Sequence, residues 1–430
     1  PAVDSALLSV SSSLLLLPCT LPFTSSNMAK SASHMRQGRR QNSAPTPSQG
    51  TQKCPVSMGG PPPESPKKKK KTSTGTKKSK GSSGDKTIPS MEGAAGKRNR
   101  IEWARNVATT KKARVLAKEF VNGLRAYKTP DAPCTAAEKN EAKNRYKDIW
   151  CIDATRVVLR MRPPNKSDYI HANWVKIPQG NNYICTQAPL EETCEDFWHM
   201  VAQEKAPIIA MLCDFNEVTA AQGAVSYEKC APYFPTTLNE VKKFGLYTIT
   251  HTGWSDELAK HEGFKISKFR IDHKGKELHQ VKHVLMTSWP DHLCPIESVP
   301  VLDLWKWINR NAKKFPVVLH CSAGVGRTGT LVAFEMADLA IAKKSTTNLL
   351  DVIKELRTMR YGLVQSHVQY LFLHVMLIEF YKEKKLITDP VAEDAFIEEY
   401  RKHVRKKLEK QAAMASAAAG GGNANADEDE

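Results

Sequence analysis

No run of this 430-residue chain reaches the roughly 20 uninterrupted apolar residues that a membrane helix needs. Ala6–Phe23 comes nearest and has some character of a signal-peptide core, but it lacks a basic flank and the chain begins with Pro1. The expectation is that residues 1–27 are a leader outside the native protein, with Met28 as the start. Paired cysteines are also missing. The ten cysteines form no CxxC, and no His/Cys cluster has zinc spacing. A chain this long needs no disulfide staples, so reduced thiols are expected, as in the cytosol or nucleus. A glycine-flanked serine elbow and a Walker loop are absent, which removes the commonest serine-hydrolase and nucleotide-triphosphatase readings. No solenoid repeat is present.

The net charge of +18 has a definite seat: residues 1–100 hold 17 Lys/Arg against 4 Asp/Glu, and the remainder 46 against 41. The basicity therefore belongs mainly to a tail and does not make the folded part a nucleic-acid binder. Residues 1–100 read as a basic, Ser/Pro/Lys-rich disordered tail. Within it, Pro66–Lys71 suits nuclear-import factors, anionic lipid or nucleic acid, although a solvated linker is the plainer reading.

From Ile101 the texture changes. Leu116, Phe120 and Leu124 repeat at four residues, predicting a helix that leads into a domain. Strand-like runs follow at Asn182–Thr186, Ile208–Cys213, Gln280–Ser288 and Val317–His320. Helical patterns span Leu302–Ala312, Gly329–Ala342, Asn348–Met359 and Val368–Glu383. This mixture implies one α/β (α+β) domain over 113–385. A second amphipathic, basic pattern covers 391–412, with Phe396, Tyr400, Val404 and Leu408 spaced by four. It could dock on the domain, pair with another helix or lie on a membrane surface. Residues 413–430 read as a disordered acidic tail.

The most informative stretch is Val317–Gly329, VVLHCSAGVGRTG. A β-branched strand breaks into a small-residue loop and then a helix begins. That order points successive backbone N–H groups inward at a helix N-terminus, a site for a dianion. The amides of Ser322, Ala323, Gly324, Val325 and Gly326 would hold the oxygens. Cys321 at the start of the loop is placed as a thiolate nucleophile. Arg327, six residues on, can close the ring and grip two oxygens with its planar fork. Cys and Gly alone would fit an inert turn; His320, Cys321, Arg327 and Thr328 together do not.

HCSAGVGRTG resembles the Cys-x5-Arg loop of the tyrosine-specific, non-receptor protein tyrosine phosphatases, and the resemblance extends from Ala113 to Lys385. Lys143–Ile149 (KNRYKDI) resembles the family's phosphotyrosine-recognition loop, and Asp168–Asn173 and Thr186–Leu190 its structural motifs. Trp289-Pro290-Asp291 is similar to its mobile acid loop, and Gln365–Tyr370 to its glutamine loop. The resemblance implies a single catalytic domain, a twisted mixed sheet covered by helices on both sides. It also implies hydrolysis of phosphotyrosine on proteins through a phosphocysteine intermediate, without a cofactor or metal. The setting would be signal transduction in the cytoplasm, with the nucleus as a second compartment.

On that reading Asp291 is the general acid and then the base, although a lone Trp-Pro-Asp is as readily a surface turn. Gln365 orients the hydrolytic water with Gln369 as its helper, and Thr328 hydrogen-bonds the Cys321 sulfur. Tyr146 stacks on the substrate ring and makes a wall too deep for phosphoserine, Asp148 binds the substrate backbone, and Gly362 keeps the pocket mouth open. His320 tunes the nucleophile through the backbone.

Three departures stand out. Leu293 and Cys294 replace a usual Gly-Val in the acid loop, which predicts altered loop dynamics and lower turnover. Glu217 sits at a suitable offset to partner Arg327, but an apparent insertion at Ala220–Ser226 follows it. The alternative function is a phosphotyrosine-binding pseudophosphatase with little turnover; a dual-specificity enzyme is disfavoured by the Asn144-Arg145-Tyr146 loop.

Overall fold

A computed structural model describes residues 93–420, apart from 128–131, 161–165, 220–224 and 292. The leader, the basic tail through residue 92 with its Lys67–Lys71 patch, and the acidic end from 421 lie outside the described residues.

In chain order the helices are α1 (Ala94–Thr110), α2 (Ala113–Phe120), α3 (Thr135–Glu138), α4 (Cys194–Gln203), α5 (Val299–Ala312), α6 (Arg327–Lys343), α7 (Leu349–Met359), α8 (His367–Glu383) and α9 (Val391–Gly420). The strands are β1 (Arg156–Val158), β2 (Tyr169–Lys176), β3 (Asn182–Thr186), β4 (Ile208–Met211), β5 (Asn216–Thr219), β6 (Val225–Glu228), β7 (Val241–Phe244), β8 (Tyr247–Ser255), β9 (Phe264–His273), β10 (Lys276–Met286) and β11 (Val317–His320). Nine strands form one mixed sheet in the order β1-β2-β3-β11-β4-β10-β9-β8-β7, flanked by helices. β11 runs parallel to β3 and β4, and β10 parallel to β4. The other pairs in this sheet are antiparallel.

The parallel centre explains its own composition. β4 and β11 are buried at every position, and their sequences, IIAM and VVLH, are apolar almost throughout instead of alternating. The loop after β11 opens at the C-terminal ends of these strands, where open α/β sheets place their ligands.

The domain is longer than the sequence predicted. α1 starts at Ala94, inside the stretch read as tail, and packs through Arg100, Trp103, Ala104 and Val107. Arg100 forms a two-pronged ion pair with Asp338 of α6 at 2.7 and 2.8 Å, and the Trp103 ring stacks on His374 of α8. The stripe was hard to read because it is short and one of its four members is an arginine. At the other end, α9 docks with Phe396, Ile397, Tyr400 and Val404 buried. Burying each such side chain contributes about 1.5–3 kcal/mol before entropy, enough to favour docking over a solvated helix. α9 also continues to Gly420, past the expected boundary at 412. Among the described residues no helix is long and apolar enough to cross a membrane.

Of the expected insertion at 220–226, only residues 225 and 226, at the start of β6, are described. β5 and β6 pair antiparallel as a separate two-stranded sheet, and residues 220–224 lie outside the described residues. The eight described cysteines are all unpaired by disulfides.

Candidate active site

β11 ends at His320, Cys321 follows, and α6 begins at Arg327. Between them the carbonyls of residues 321–325 each have a partner, and that of Gly326 accepts from Thr330 within α6. The Cys321 carbonyl lies 3.1 Å from His320 Nδ1. The Ser322 carbonyl accepts from the Ala188 amide at 2.9 Å, and that of Val325 from the Val364 amide at 3.0 Å. Arg360 takes two more, donating to Gly324 O at 2.8 Å and Ala323 O at 3.0 Å. Because a trans peptide points its N–H opposite its C=O, outward carbonyls turn the following amides toward the loop's centre. None of the amides from Ser322 to Arg327 donates to a backbone carbonyl among the described residues.

Two glycines make this curvature possible. Gly324 has φ +69°, and a Cβ there would sit 1.9 Å from the Thr186 carbonyl oxygen at the end of β3. A Cβ on Gly326 would meet the side chains of Gln369 and Gln365 at 2.8 and 3.2 Å, so both glutamines face the loop.

Arg327 stands at the end of the loop, as the first residue of α6. Its guanidinium is buried and grips Glu217 through two 2.5 Å bonds, with a third to Leu212 O at 2.8 Å. Burial opposes its charge, but the Glu217 carboxylate more than offsets this and holds its pKa above the ordinary arginine value. Glu217 is thus delivered by β5, the first strand of the hairpin.

Asp291 reaches the same guanidinium: its Oδ1 lies 2.7 Å from Arg327 Nη2, and its Oδ2 lies 2.8 Å from Lys229 Nζ. Burial opposes the Lys229 charge, but Asp291 outweighs it and raises the lysine's pKa. The acid loop is braced by Trp289, buried, whose indole N–H donates to Leu293 O at 3.1 Å. Leu293 is itself buried and outside the left-handed region, so its position makes no conformational demand for glycine.

The recognition loop is tied to the cradle. Tyr146 Oη lies 2.7 Å from Ser322 Oγ, and Arg145 donates to Pro189 O at 2.7 Å. Gln187 anchors both sides of Asn144, accepting from the Arg145 amide and donating to Lys143 O. Asp148 is exposed, and Gly362 has φ +73° with open space around it.

The glutamine loop is strained. Val364, a β-branched residue, has φ +59°. Arg357 holds it there by donating to Leu363 O at 2.9 Å and Val364 O at 2.8 Å. Gln365 follows, exposed, with its amide donating to Gln369 Oε1 at 2.8 Å. Ser366 and Gln369 form a capping box on α8, which fixes how Gln369 is presented.

One expected contact is not made. The Thr328 hydroxyl is buried without a hydrogen-bond partner among the described residues, so it does not bond the Cys321 sulfur here. Thr328 lies in the first turn of α6. His320 sits in a buried chain: Tyr233 Oη is 2.8 Å from His320 Nε2 and 2.7 Å from His283 Nε2. Burial lowers the His320 pKa to about 4, so the ring is neutral near pH 7 and suited to a backbone role.

Sequence reasoning missed Lys229 and Arg360. Lys229 carried no signal. Arg360 lay within the stretch RYGLV, but its burial beneath the cradle, where it also donates to Asn173 Oδ1 at 2.8 Å, is a product of the fold.

An amide cradle with a cysteine at its foot and a carboxylate-braced arginine at its rim defines a site for a tetrahedral dianion. The comparisons give the class its family. The model of the protein-tyrosine phosphatase family matches residues 140–379. Rat (Rattus norvegicus) tyrosine-protein phosphatase non-receptor type 7 is 34% identical over 255 residues, covering 58% of this chain and 67% of that protein. Rat non-receptor type 20 is 33% identical over 246 residues, covering 56% and 55%. Human non-receptor type 9 is 30% identical over 274 residues, covering 59% and 44%. The matched part thus spans 44% to 67% of these relatives. This chain belongs to the protein-tyrosine phosphatase family.

Proposed function

We propose that this protein hydrolyses phosphotyrosine in protein substrates in two displacements at Cys321. In the first, the Cys321 thiolate attacks phosphorus, an S–P bond forms, the O–P bond to tyrosine breaks, and Asp291 gives its proton to the departing phenolate. In the second, the Asp291 carboxylate takes a proton from a water oriented by Gln365, and that water attacks phosphorus. The S–P bond breaks, releasing phosphate and regenerating the thiolate. The loop amides and Arg327 carry the equatorial oxygens through both transition states, supplying the charge stabilisation that phosphoryl transfer demands.

Tyr146 supplies the wall that favours an aryl ester, since its hydroxyl is fixed to Ser322 at the edge of the cradle. Asp148 and Gly362 lie at the mouth. Thr328, whose hydroxyl has no hydrogen-bond partner among the described residues, serves the second displacement as a donor to the leaving sulfur. The relatives are non-receptor types, which favours cytoplasmic signalling phosphoproteins as substrates.

The observation that carries this reading is the shared grip on Arg327. Glu217 fixes one edge of the guanidinium, while Asp291 meets it from the acid loop. The test is rapid quenching during turnover followed by mass analysis. One phosphoryl adduct should map to the peptide containing Cys321, and Gln365→Ala should increase its standing level. Turnover with an adduct elsewhere, or with none in either protein, would refute the two-step route.

A further inference from the structure

The small sheet that brings Glu217 to Arg327 carries an aromatic side chain on the same face. β5 and β6 pair with Glu217 directly opposite Tyr227, and opposite residues of an antiparallel pair project to one side of the sheet. The ladder runs one step beyond β6, where the Lys229 amide donates to Phe215 O at 2.7 Å. Lys229 is two residues from Tyr227 and so shares its face. Both neighbours of Tyr227 on this face reach into the site: the Glu217 carboxylate binds Arg327, and the Lys229 ammonium binds Asp291. Tyr227 itself is 37% exposed.

The end of β6 fixes where that ring stands. Glu228, on the other face, pairs with Arg145 of the recognition loop at 3.2 Å. Lys229 O accepts from Ser322 Oγ of the cradle at 3.0 Å, and Ser322 Oγ in turn meets Tyr146 Oη. Recognition loop, cradle and acid loop therefore all converge on residues 228 and 229. Tyr227 lies two residues, about 7 Å, farther out along the strand than Lys229. An extended peptide covers the same distance in about two residues. The ring is thus placed to meet a neighbour of the phosphotyrosine and not the phosphotyrosine itself.

We propose that Tyr227 is a substrate-binding residue, an aromatic platform on the rim of the site. It selects phosphotyrosine peptides that carry an apolar or aromatic side chain within two residues of the phosphotyrosine. A single exposed aromatic is ordinary on a protein surface. What sets Tyr227 apart is the register, which puts it on the site-facing side of its strand. The proposal rests on the reading of the site as a phosphotyrosine hydrolase and adds a preference that the cradle and Tyr146 do not supply, since they serve the phosphotyrosine alone. A tyrosine ring offers a large contact area for little lost rotamer freedom. Packing an aromatic or apolar side chain on it favours binding by about three- to tenfold.

The test uses the full chain with phenyl phosphate and two phosphotyrosine peptides, one flanked by leucine and phenylalanine and one by serine and glycine. Wild type should favour the apolar peptide about three- to tenfold in kcat/KM. Tyr227→Ala should erase that preference by raising KM for the apolar peptide, with kcat held. Tyr227→Phe, which keeps the ring, should retain it. Calorimetric binding of both peptides to Cys321→Ser reads the same preference without turnover, as a ratio of Kd values that Tyr227→Ala removes. If wild type hydrolyses none of the three substrates, the phosphatase reading fails, and the binding ratio alone decides whether the platform stands. If neither kcat/KM nor Kd distinguishes the peptides, or if Tyr227→Ala lowers kcat/KM for phenyl phosphate as much as for the apolar peptide, the platform is overturned. The second of these results would mean that the ring acts through Glu217 or Lys229 instead of on the substrate.

Discussion

Removing the carboxylate behind Arg327 is the most revealing single perturbation of the site. In Glu217→Gln the buried guanidinium loses a charged, two-bond partner and keeps Leu212 O, Asp291 and one amide oxygen. Breaking a buried ion pair by removing one partner costs about 3–5 kcal/mol, because the other charge stays buried without compensation. Asp291 and the surviving acceptor offset part of this, which puts the loss at about 2–3 kcal/mol. Urea unfolding of wild type, Glu217→Gln, Arg327→Met and the double variant measures it as a cycle. In the Arg327→Met background the Glu217 substitution should cost less than about 1 kcal/mol, since no cation remains to be stranded. Turnover should fall about 10- to 100-fold in Glu217→Gln through misplacement of the fork. A stability loss under about 1 kcal/mol in the single variant, or strictly additive losses in the double, would refute this account of the pair.

Gly324→Ala should cost more than about 3 kcal/mol and abolish vanadate binding, because left-handed strain of about 1–2 kcal/mol is joined by a clash with the Thr186 carbonyl. Gly362→Ala, equally left-handed but in open space, should cost only about 1 kcal/mol; equal losses would show that the crowding is not what matters. Burial holds His320 and His374 at about 4 and, with Arg360 nearby, His171 at about 3, all below the ordinary 6.5. Below pH 6.5 the unfolded chain therefore binds protons that the folded protein refuses. Stability should fall with pH by about 1.4 kcal/mol per unit for each of these histidines, approaching 4 kcal/mol per unit near pH 5. Urea midpoints unchanged between pH 7 and 5 would contradict this. Leu293→Gly should lower the melting temperature and reduce kcat, since Leu293 is buried and its carbonyl braces Trp289; an unaltered pH–rate profile would make the residue neutral.

What the sequence disclosed and what it hid follow from distance along the chain. The cradle could be read because Cys321, its small residues and Arg327 are contiguous, and a strand-loop-helix turn is a local property. Asp291 and Gln365 were readable only as partners of that loop. Lys229 stands 62 positions from Asp291, and nothing local marks it as an ion-pair partner. Arg360 reads as a surface residue at the end of α7, yet it is fully buried and holds two cradle carbonyls from below. The start of α1 was missed because Arg100 interrupts its apolar stripe, and only the partner Asp338, 238 positions away, makes that arginine a core residue. The role of α9 was left open for the opposite reason: its stripe was plain, but periodicity does not say which surface a stripe covers. For Thr328 the expected bond to the Cys321 sulfur is not formed, since position in the loop does not fix where a hydroxyl points.

The most direct test of the central claim is phosphate release from a phosphotyrosine peptide and a matched phosphoserine peptide, with chelator present, by the native chain and by Cys321→Ser. The account predicts turnover of the phosphotyrosine peptide alone, abolished in Cys321→Ser with binding retained. Folded native protein that binds the phosphotyrosine peptide without turning it over, or turnover that survives in Cys321→Ser, would contradict it.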